Sequence, residues 1–353
     1  VVDIVDFAGW TCPAPLRDET HIVLGHGGGG LLCSELVEHL FLPAFGTPEL
    51  AAAPRDSALV DAGTARLAFT TDSYVVSPLL FPGGCIGDLA VNGTINDLAM
   101  SGARPVALSA AFILEEGLEV AVLGRVAQAM GAAARTAGVR LVTGDTKVVE
   151  RGHADGMYIN TSGVGLVPAG VHIGPERARP GDRVIVSGAI GEHGVTILSV
   201  RSGLAFDTPL STDSAPLAGL VADLLASAPE VHVLRDPTRG GVAASLCEIA
   251  AASRVGIEVD EASVPVPEPV AAACGFLGLD PLHVANEGKL LAFVPAAQAD
   301  AALATLRAHP HGSGADVIAT VTEEHPGIVV GRTRLGGTRV IDRPLGEQLP
   351  RIC

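Results

Sequence analysis

Apolar runs of strand length alternate with alanine-rich helical stretches along most of this chain, and loops rich in glycine and acids mark the joins. That alternation limits the fold more than any single residue does, because strands and helices in alternation assemble into sheets covered by helices. Residues 21–24 read as a short strand feeding Gly25-His26-Gly27-Gly28-Gly29-Gly30, and a helix follows with Leu32, Leu36, Leu40 and Phe41 on one face. Residues 66–71 read as a strand that delivers Asp72 into a loop. Residues 86–102 read as a helix, 104–114 as a strand, and 119–138 as a helix closed by its glycine. Residues 139–142 read as a buried strand running into a loop at Thr143-Gly144-Asp145-Thr146-Lys147, and 157–167 as another strand. The pattern resumes with a strand at 184–187, helices at 214–227 and 242–253, a strand entrance near Lys289, a helix at 298–309 and strands at 317–321 and 327–330.

A chain of 353 residues exceeds one ordinary core and fits two domains, with the boundary expected in the proline- and glycine-bearing stretch 168–180. The expected division is an extension over 1–20, an N-terminal domain over 21–170, a C-terminal domain over 171–335 and a mobile tail over 336–353. One tryptophan, two tyrosines and nine phenylalanines leave the cores to Ala, Val, Leu and Ile and offer little platform for stacking single-stranded nucleic acid. A net charge of −16 also argues against a nucleic-acid partner, but not against a nucleotide held by local groups. No apolar run reaches the roughly 18 residues of a membrane span. The start carries Asp3, Asp6, Asp18 and Glu19 against Arg17, unlike a secretory signal, so a cytoplasmic protein without a membrane partner is expected. Cys12, Cys33, Cys85, Cys247, Cys274 and Cys353 form no C-x-x-C pair, and neither a zinc site nor a disulfide framework is signalled.

Chemistry concentrates in a few places. Of 23 basic residues only Lys147 and Lys289 are lysines, which suggests positions where a compact point charge is needed. Asp145, Thr146 and Lys147 crowd one loop, where Asp suits Mg²⁺ and Lys a phosphate oxygen; a hairpin turn with a surface ion pair is the alternative. Asn92, Asn96 and Asp97 share a helix edge that either lines a site or faces solvent. Arg235-Asp236-Pro237-Thr238-Arg239-Gly240-Gly241 enters a helix and presents charges and bare amides at its start. Glu287 precedes the second lysine. Last comes Cys353, on a segment that extends on the order of 50 Å after Leu335 at about 3.3 Å per residue. A thiol there is either a frayed end or a mobile nucleophile.

Taken together, HGGGG at His26, FTTDSYVVSPLLFPGG at Phe69, GTIND at Gly93, FILEEG at Phe112, VTGDTKVV at Val142, RDPTRGG at Arg235, ANEGKL at Ala285 and the terminal PRIC resemble the HypE family of hydrogenase maturation factors. Its superfamily also holds aminoimidazole ribonucleotide synthetase, selenophosphate synthetase and thiamine-phosphate kinase. The resemblance implies an α+β, two-domain fold: an N-terminal α/β domain that dimerises through its sheet, a C-terminal α/β domain and a flexible tail. It implies a cytoplasmic homodimer that binds ATP and Mg²⁺ and dehydrates a carbamoyl group on its terminal thiol to a thiocyanate. HypF would supply the carbamoyl group, and HypC with HypD would receive the nitrile as a cyanide ligand of [NiFe]-hydrogenase iron. It puts Asp72, Asp97 and Asp145 on metal and ATP, with Asn96 and Thr146 at the nucleotide. Lys147 would act on phosphates or the activated oxygen, and Glu287 would sit beside Cys353. The rival readings are an ATP-dependent small-molecule kinase or synthetase of the same superfamily, and a non-catalytic maturation scaffold.

Overall fold

In the computed structural model the described residues are 22–27, 30–41, 44, 55–203, 210–343 and 351–353. The expected extension over 1–20, Gly28, Gly29 and residues 344–350 lie outside them. The expected strand at 21–24 is not formed: residues 22–23 carry no strand pairing and lead into a 3₁₀ turn, Leu24–Gly27, with Val23 N–H donating to His26 Nδ1 at 3.0 Å.

Helix α1 (Leu31–Leu36) leads to β1 (Ala58–Ala62), β2 (Ala65–Tyr74), a small hairpin of β3 (Leu80–Phe81) and β4 (Gly84–Cys85), and helix α2 (Ile86–Met100). Next come β5 (Arg104–Glu115), α3 (Val120–Thr136), β6 (Arg140–Val149) and β7 (Met157–Val167). The five strands of the first sheet lie in the order β1-β2-β7-β5-β6. Only β5 and β6 pair in parallel, since α3 carries the chain back across the sheet between them. Strict alternation along β7 sends Met157, Ile159 and Thr161 inward, where α2 lies. Helix α2 starts at a reciprocal cap: Gly87 N–H donates to Cys85 Sγ at 3.3 Å and Cys85 N–H to Asp88 Oδ1 at 2.7 Å. It is buried almost all round, which fits a helix packed between two domains rather than on a surface.

The second sheet takes β8 (Arg183–Val186), α4 (Glu192–Ser202), α5 (Ala218–Ser227), β9 (Val233–Arg235), α6 (Gly241–Ser253), β10 (Gly256–Asp260) and α7 (Glu268–Leu277). It continues with β11 (Leu291–Val294), α8 (Ala299–Ala308), β12 (Asp316–Thr322), β13 (Val329–Arg332) and β14 (Thr338–Ile341). Its strand order is β14-β13-β10-β12-β8-β11-β9. Val184, Val186, Val233 and Phe293 meet α6 on one face, while Ile185, Leu234, Ala292 and Val294 meet α5 and α8 on the other. Two sheets with separate cores make the α+β, two-domain architecture expected from the sequence.

Three boundaries differ from expectation. Asp72 lies within β2, because pairing with β7 continues to Tyr74↔Ile159. Residues 143–147 are strand and not loop, since β5 pairs with β6 from Ser109↔Thr143 through Glu115↔Val149. Residues 338–341, assigned to the mobile tail, form β14 on the edge of the second sheet, in register with β13. Strands β1 and β10 and helix α7 carried no recognised signal.

Candidate functional site

Where the two sheets meet across α2, a cavity of about 200 Å³ opens. Thr70 and Asp72 reach it from β2, Gly93 and Asp97 from α2, and Asp236 and Arg239 from the turn between β9 and α6. Glu287, Cys353, Asp56 and Arg235 also line it. Glycine is required at two of these approaches. A side chain at Gly93 would collide with the Tyr74 hydroxyl. Gly240 and Gly241 both take positive φ, 78° and 65°, and a Cβ at Gly241 would stand 2.5 Å from the Leu282 carbonyl oxygen. That turn folds Asp236 and Arg239 back over the cavity.

Asp56, Asp97 and Asp236 each place a carboxylate oxygen within 4.8 Å of the others. The Thr70 hydroxyl lies 2.8 Å from Asp97 Oδ2, and Arg235 bridges Asp56 Oδ1 at 3.0 Å and Glu248 Oε2 at 2.8 Å. One guanidinium does not neutralise the cluster. Burial, and then repulsion from Asp236, Asp72 and Asp56, pushes Asp97 well above the usual carboxylate range. Burial followed by Asp56 pushes Asp236 up to about 8, and burial pushes Asp56 up to about 6 against the pull of Arg235. Three convergent hard oxygens, short of positive charge, are the donor set that Mg²⁺ takes.

Glu287 is buried, and its Oε1 has no hydrogen-bond partner among the described residues. Burial, then Asp236, Asp213 and Asp72, raises its carboxyl well above the ordinary value. Its backbone is fixed: the N–H donates to Asp213 Oδ1 at 3.0 Å, and the carbonyl accepts from Asn96 Nδ2 at 3.2 Å. The chain's end is docked rather than frayed. Ile352 and Cys353 are 4% and 6% exposed. Val75 N–H donates to the Cys353 carbonyl oxygen at 3.0 Å and Ser77 N–H to that of Arg351 at 3.3 Å, so the tail runs beside the segment that continues β2. Arg351 donates to the Val75 carbonyl at 3.0 Å and pairs with Asp155 at 2.7 Å. The Arg239 guanidinium is held charged above all by the terminal residue, then by Asp72 and Glu287.

Of the residues singled out in the sequence, Asp72, Asp97, Glu287 and Cys353 come together here. Asn96 does not line the cavity. Its amide donates to the Ala215 and Glu287 carbonyls and accepts from Leu217 N–H at 2.8 Å, so it staples α2 to the second domain. Asn92 does the same through Ser214 Oγ at 3.1 Å, and the polar edge of α2 is therefore a seam rather than a solvated face. Asp145, Thr146 and Lys147 stand exposed on β6, away from the cavity, and Lys147 Nζ is 2.5 Å from Asp145 Oδ2. Lys289 pairs with Asp213 at 3.3 Å beneath the site. Asp56, Asp236 and Arg239 were not in the expected set. The turn containing Asp236 and Arg239 was a recognisable signal, whereas nothing in the sequence marks Asp56, which only long-range folding brings to Asp97.

The fold and site have counterparts. Residues 54–167 match the family model for the AIR synthase related protein, N-terminal domain, and residues 179–331 that for its C-terminal domain. The carbamoyl dehydratase HypE of Azotobacter vinelandii is 54% identical over 328 residues, covering 93% of this chain and 96% of that protein. A crystal structure of a HypE–HypF complex superimposes with a TM-score of 0.83 at 46% identity, over 88% of this chain and 99% of that one. Hydrogenase maturation protein HypE in complex with ATP gives 0.80 at 50% identity, over 94% and 100%.

Proposed function

The chain belongs to the AIR synthase related family, among the HypE carbamoyl dehydratases, and on that premise we propose that it uses ATP to dehydrate a carbamoyl group carried on its own Cys353. The observation that carries this reading is the burial of a terminal thiol in one cavity with Asp72, Asp97 and Glu287. Dehydration of the S-carbamoyl group, S–C(=O)–NH₂, yields the thiocyanate S–C≡N: the carbonyl oxygen leaves and the nitrogen gives up both protons. ATP with Mg²⁺ supplies the phosphoryl group that turns this oxygen into a good leaving group, departing as phosphate. Asp56, Asp97 and Asp236, with Asp72 beside them, would hold the ion. Glu287, whose proton affinity burial and the neighbouring acids raise, takes a proton from nitrogen. Arg239 keeps a positive charge beside the terminal residue as negative charge develops. Sulfur suits the carrier because a thiolate accepts the carbamoyl group and later leaves readily.

The same reading assigns HypF as carbamoyl donor and HypC with HypD as nitrile acceptors, in the cytoplasm, with the nitrile becoming a cyanide ligand of the [NiFe] iron. It also assigns a homodimer. Val60, Phe69 and Ile113 are exposed on the outward face of the first sheet, and a second copy packed there would cover them. Asp145, Thr146 and Lys147 stand on the exposed strand β6 of the same sheet, and their role at the phosphates depends on that assembly. Asn96 serves the site through the backbone of Glu287.

Incubation with carbamoyl phosphate, ATP and HypF tests this reading by intact mass. An adduct on Cys353 that then loses one water is expected. An adduct that never loses water, no adduct, or a Cys353→Ala variant that still supports hydrogenase maturation would overturn it.

A further inference from the structure

Helix α4 touches the tail through two side chains, and its N-terminus is tied to the segment carrying Glu287. His193, fully buried on its first turn, places Nε2 2.6 Å from the Ile352 carbonyl oxygen. Arg201, two turns on, donates to the Arg351 carbonyl at 2.6 Å and to the Ser77 carbonyl at 2.9 Å. At the head of the helix, Gly191 N–H donates to Asn286 Oδ1 at 2.7 Å and Gly194 N–H to the Ala285 carbonyl at 3.1 Å. One rigid element therefore holds both the last peptide units before Cys353 and the residues preceding Glu287. The ring of His193 is itself fixed. Phe81 meets it edge-on at 5.9 Å, and Thr212 Oγ1 lies 2.7 Å from Nδ1.

The network assigns the tautomer. The Ile352 carbonyl can only accept, so Nε2 carries the N–H and donates to it. Burial keeps the imidazole neutral, and Nδ1 then accepts from Thr212 Oγ1, whose oxygen also accepts from Ser214 N–H at 3.1 Å. The neighbouring Asp213 accepts from Glu287 N–H, so residues 212–213 support the imidazole and the candidate base together.

We propose that α4 is a clamp that sets the group borne by Cys353 against Glu287, with His193 and Arg201 as positioning residues. The proposal rests on the carbamoyl dehydratase reading above. Both side chains grip backbone carbonyls, so their hold is indifferent to whether sulfur carries hydrogen, carbamoyl or nitrile. Both must let go when the terminal thiol meets a partner protein. Weakening the clamp therefore separates two steps: dehydration inside the cavity slows, whereas loading from outside does not.

Two measurements test it on wild type, His193→Ala, His193→Gln and Arg201→Ala. The first is the rate of Cys353 alkylation by iodoacetamide in the unloaded full-length chain, read by peptide mass. The second is one time course of intact mass with HypF, carbamoyl phosphate and ATP, in which total adduct reports loading and the dehydrated share reports the cavity step. Loss of one hydrogen bond to a buried carbonyl predicts alkylation about tenfold faster and dehydration about tenfold slower in the alanine variants, with loading undiminished. Gln retains an N–H donor, and His193→Gln is expected to recover most of the dehydration rate. Equal alkylation rates in all four chains overturn the clamp, as does an equal fall of loading and dehydration. Arg201 lies at the surface, so its variant decides the matter if His193→Ala fails to fold. A wild-type chain that loads but never loses water overturns the dehydratase reading instead.

Discussion

Where the seven-stranded sheet sends Val184 and Val186 to one core and Ile185 to another, the five-stranded sheet has one helix-covered face and leaves Val60, Phe69 and Ile113 on its other face 44–49% exposed. The second sheet is closed within its own chain, with α6 on one side and α5 and α8 on the other. The first commits α2 and α3 to one side and offers the other. The contrast accounts for where the chemistry lies. Acids at the seam are enclosed by both domains, whereas Asp145 and Lys147, on the open sheet, remain at the surface. One chain thus holds an enclosed acidic pocket and an apolar strand surface open to solvent.

The sharpest way to break the comparison is to remove buried mass from each sheet. Phe293→Ala in the doubly covered sheet is expected to cost about 3–5 kcal/mol, whereas Phe69→Ala on the open face shifts protomer stability by no more than about 0.5 kcal/mol. Denaturant unfolding of the two variants reads the difference, and similar losses would show that the first sheet is not open.

Next in size is the seam. Asp56 and Asp236 have folded values of about 6 and about 8 against an ordinary 3.8, so between about pH 4 and 8 the folded chain holds protons that the unfolded chain has released. Stability without metal therefore falls as pH rises through that window, on the order of 3 kcal/mol for the smaller shift alone. Thermal melts with a chelator check the fall, and added Mg²⁺ is expected to flatten it. A melting temperature that rises over this range would contradict the clustering of Asp56, Asp97 and Asp236.

A smaller effect tests the open face directly. Phe69→Asp with Ile113→Asp is expected to weaken self-association at least tenfold, about 1.4 kcal/mol, in sedimentation runs while the protomer stays folded. Unchanged association would exclude this face as a contact between copies. The smallest expected effect is that of Lys147→Ala on protomer stability. Its pair with Asp145 is 68% and 62% exposed, and a pair so open to solvent contributes little. A larger loss in unfolding experiments would mean that β6 is covered in the protomer.

How far the sequence could be read differs between the two regions. Strand β7 and helices α2, α3 and α6 were legible because alternation or helical spacing is a local property, expressed within one element. Strand β6 was read short because Thr143-Gly144-Asp145-Thr146 looks like a turn, and its extended form depends on pairing with β5. Strand β14 was missed for a related reason: Thr338-Arg339-Val340-Ile341 becomes a strand by adding to the edge of β13. At the site, Asp72, Asp97, Glu287 and Cys353 were identified through motifs whose spacing survives in the linear chain. Asn96 and Asp56 illustrate the limit. Whether an amide faces a cavity or staples two domains, and whether an acid before β1 meets one on α2, depends on contacts between distant segments.

The chain by itself determined the alternation of elements, cores of small aliphatic residues, the segments bearing acids and lysines and the terminal thiol, each a property of composition or short-range order. Tertiary structure alone decided that Asp56 and Asp236 join Asp97, that Lys147 stays outside, and that His193 and Arg201 seat the tail beside Glu287. The physical reason is range. Backbone preference and side-chain periodicity act over a few residues, while electrostatic frustration, burial and a hydrogen bond from residue 193 to residue 352 exist only once packing has brought those segments together.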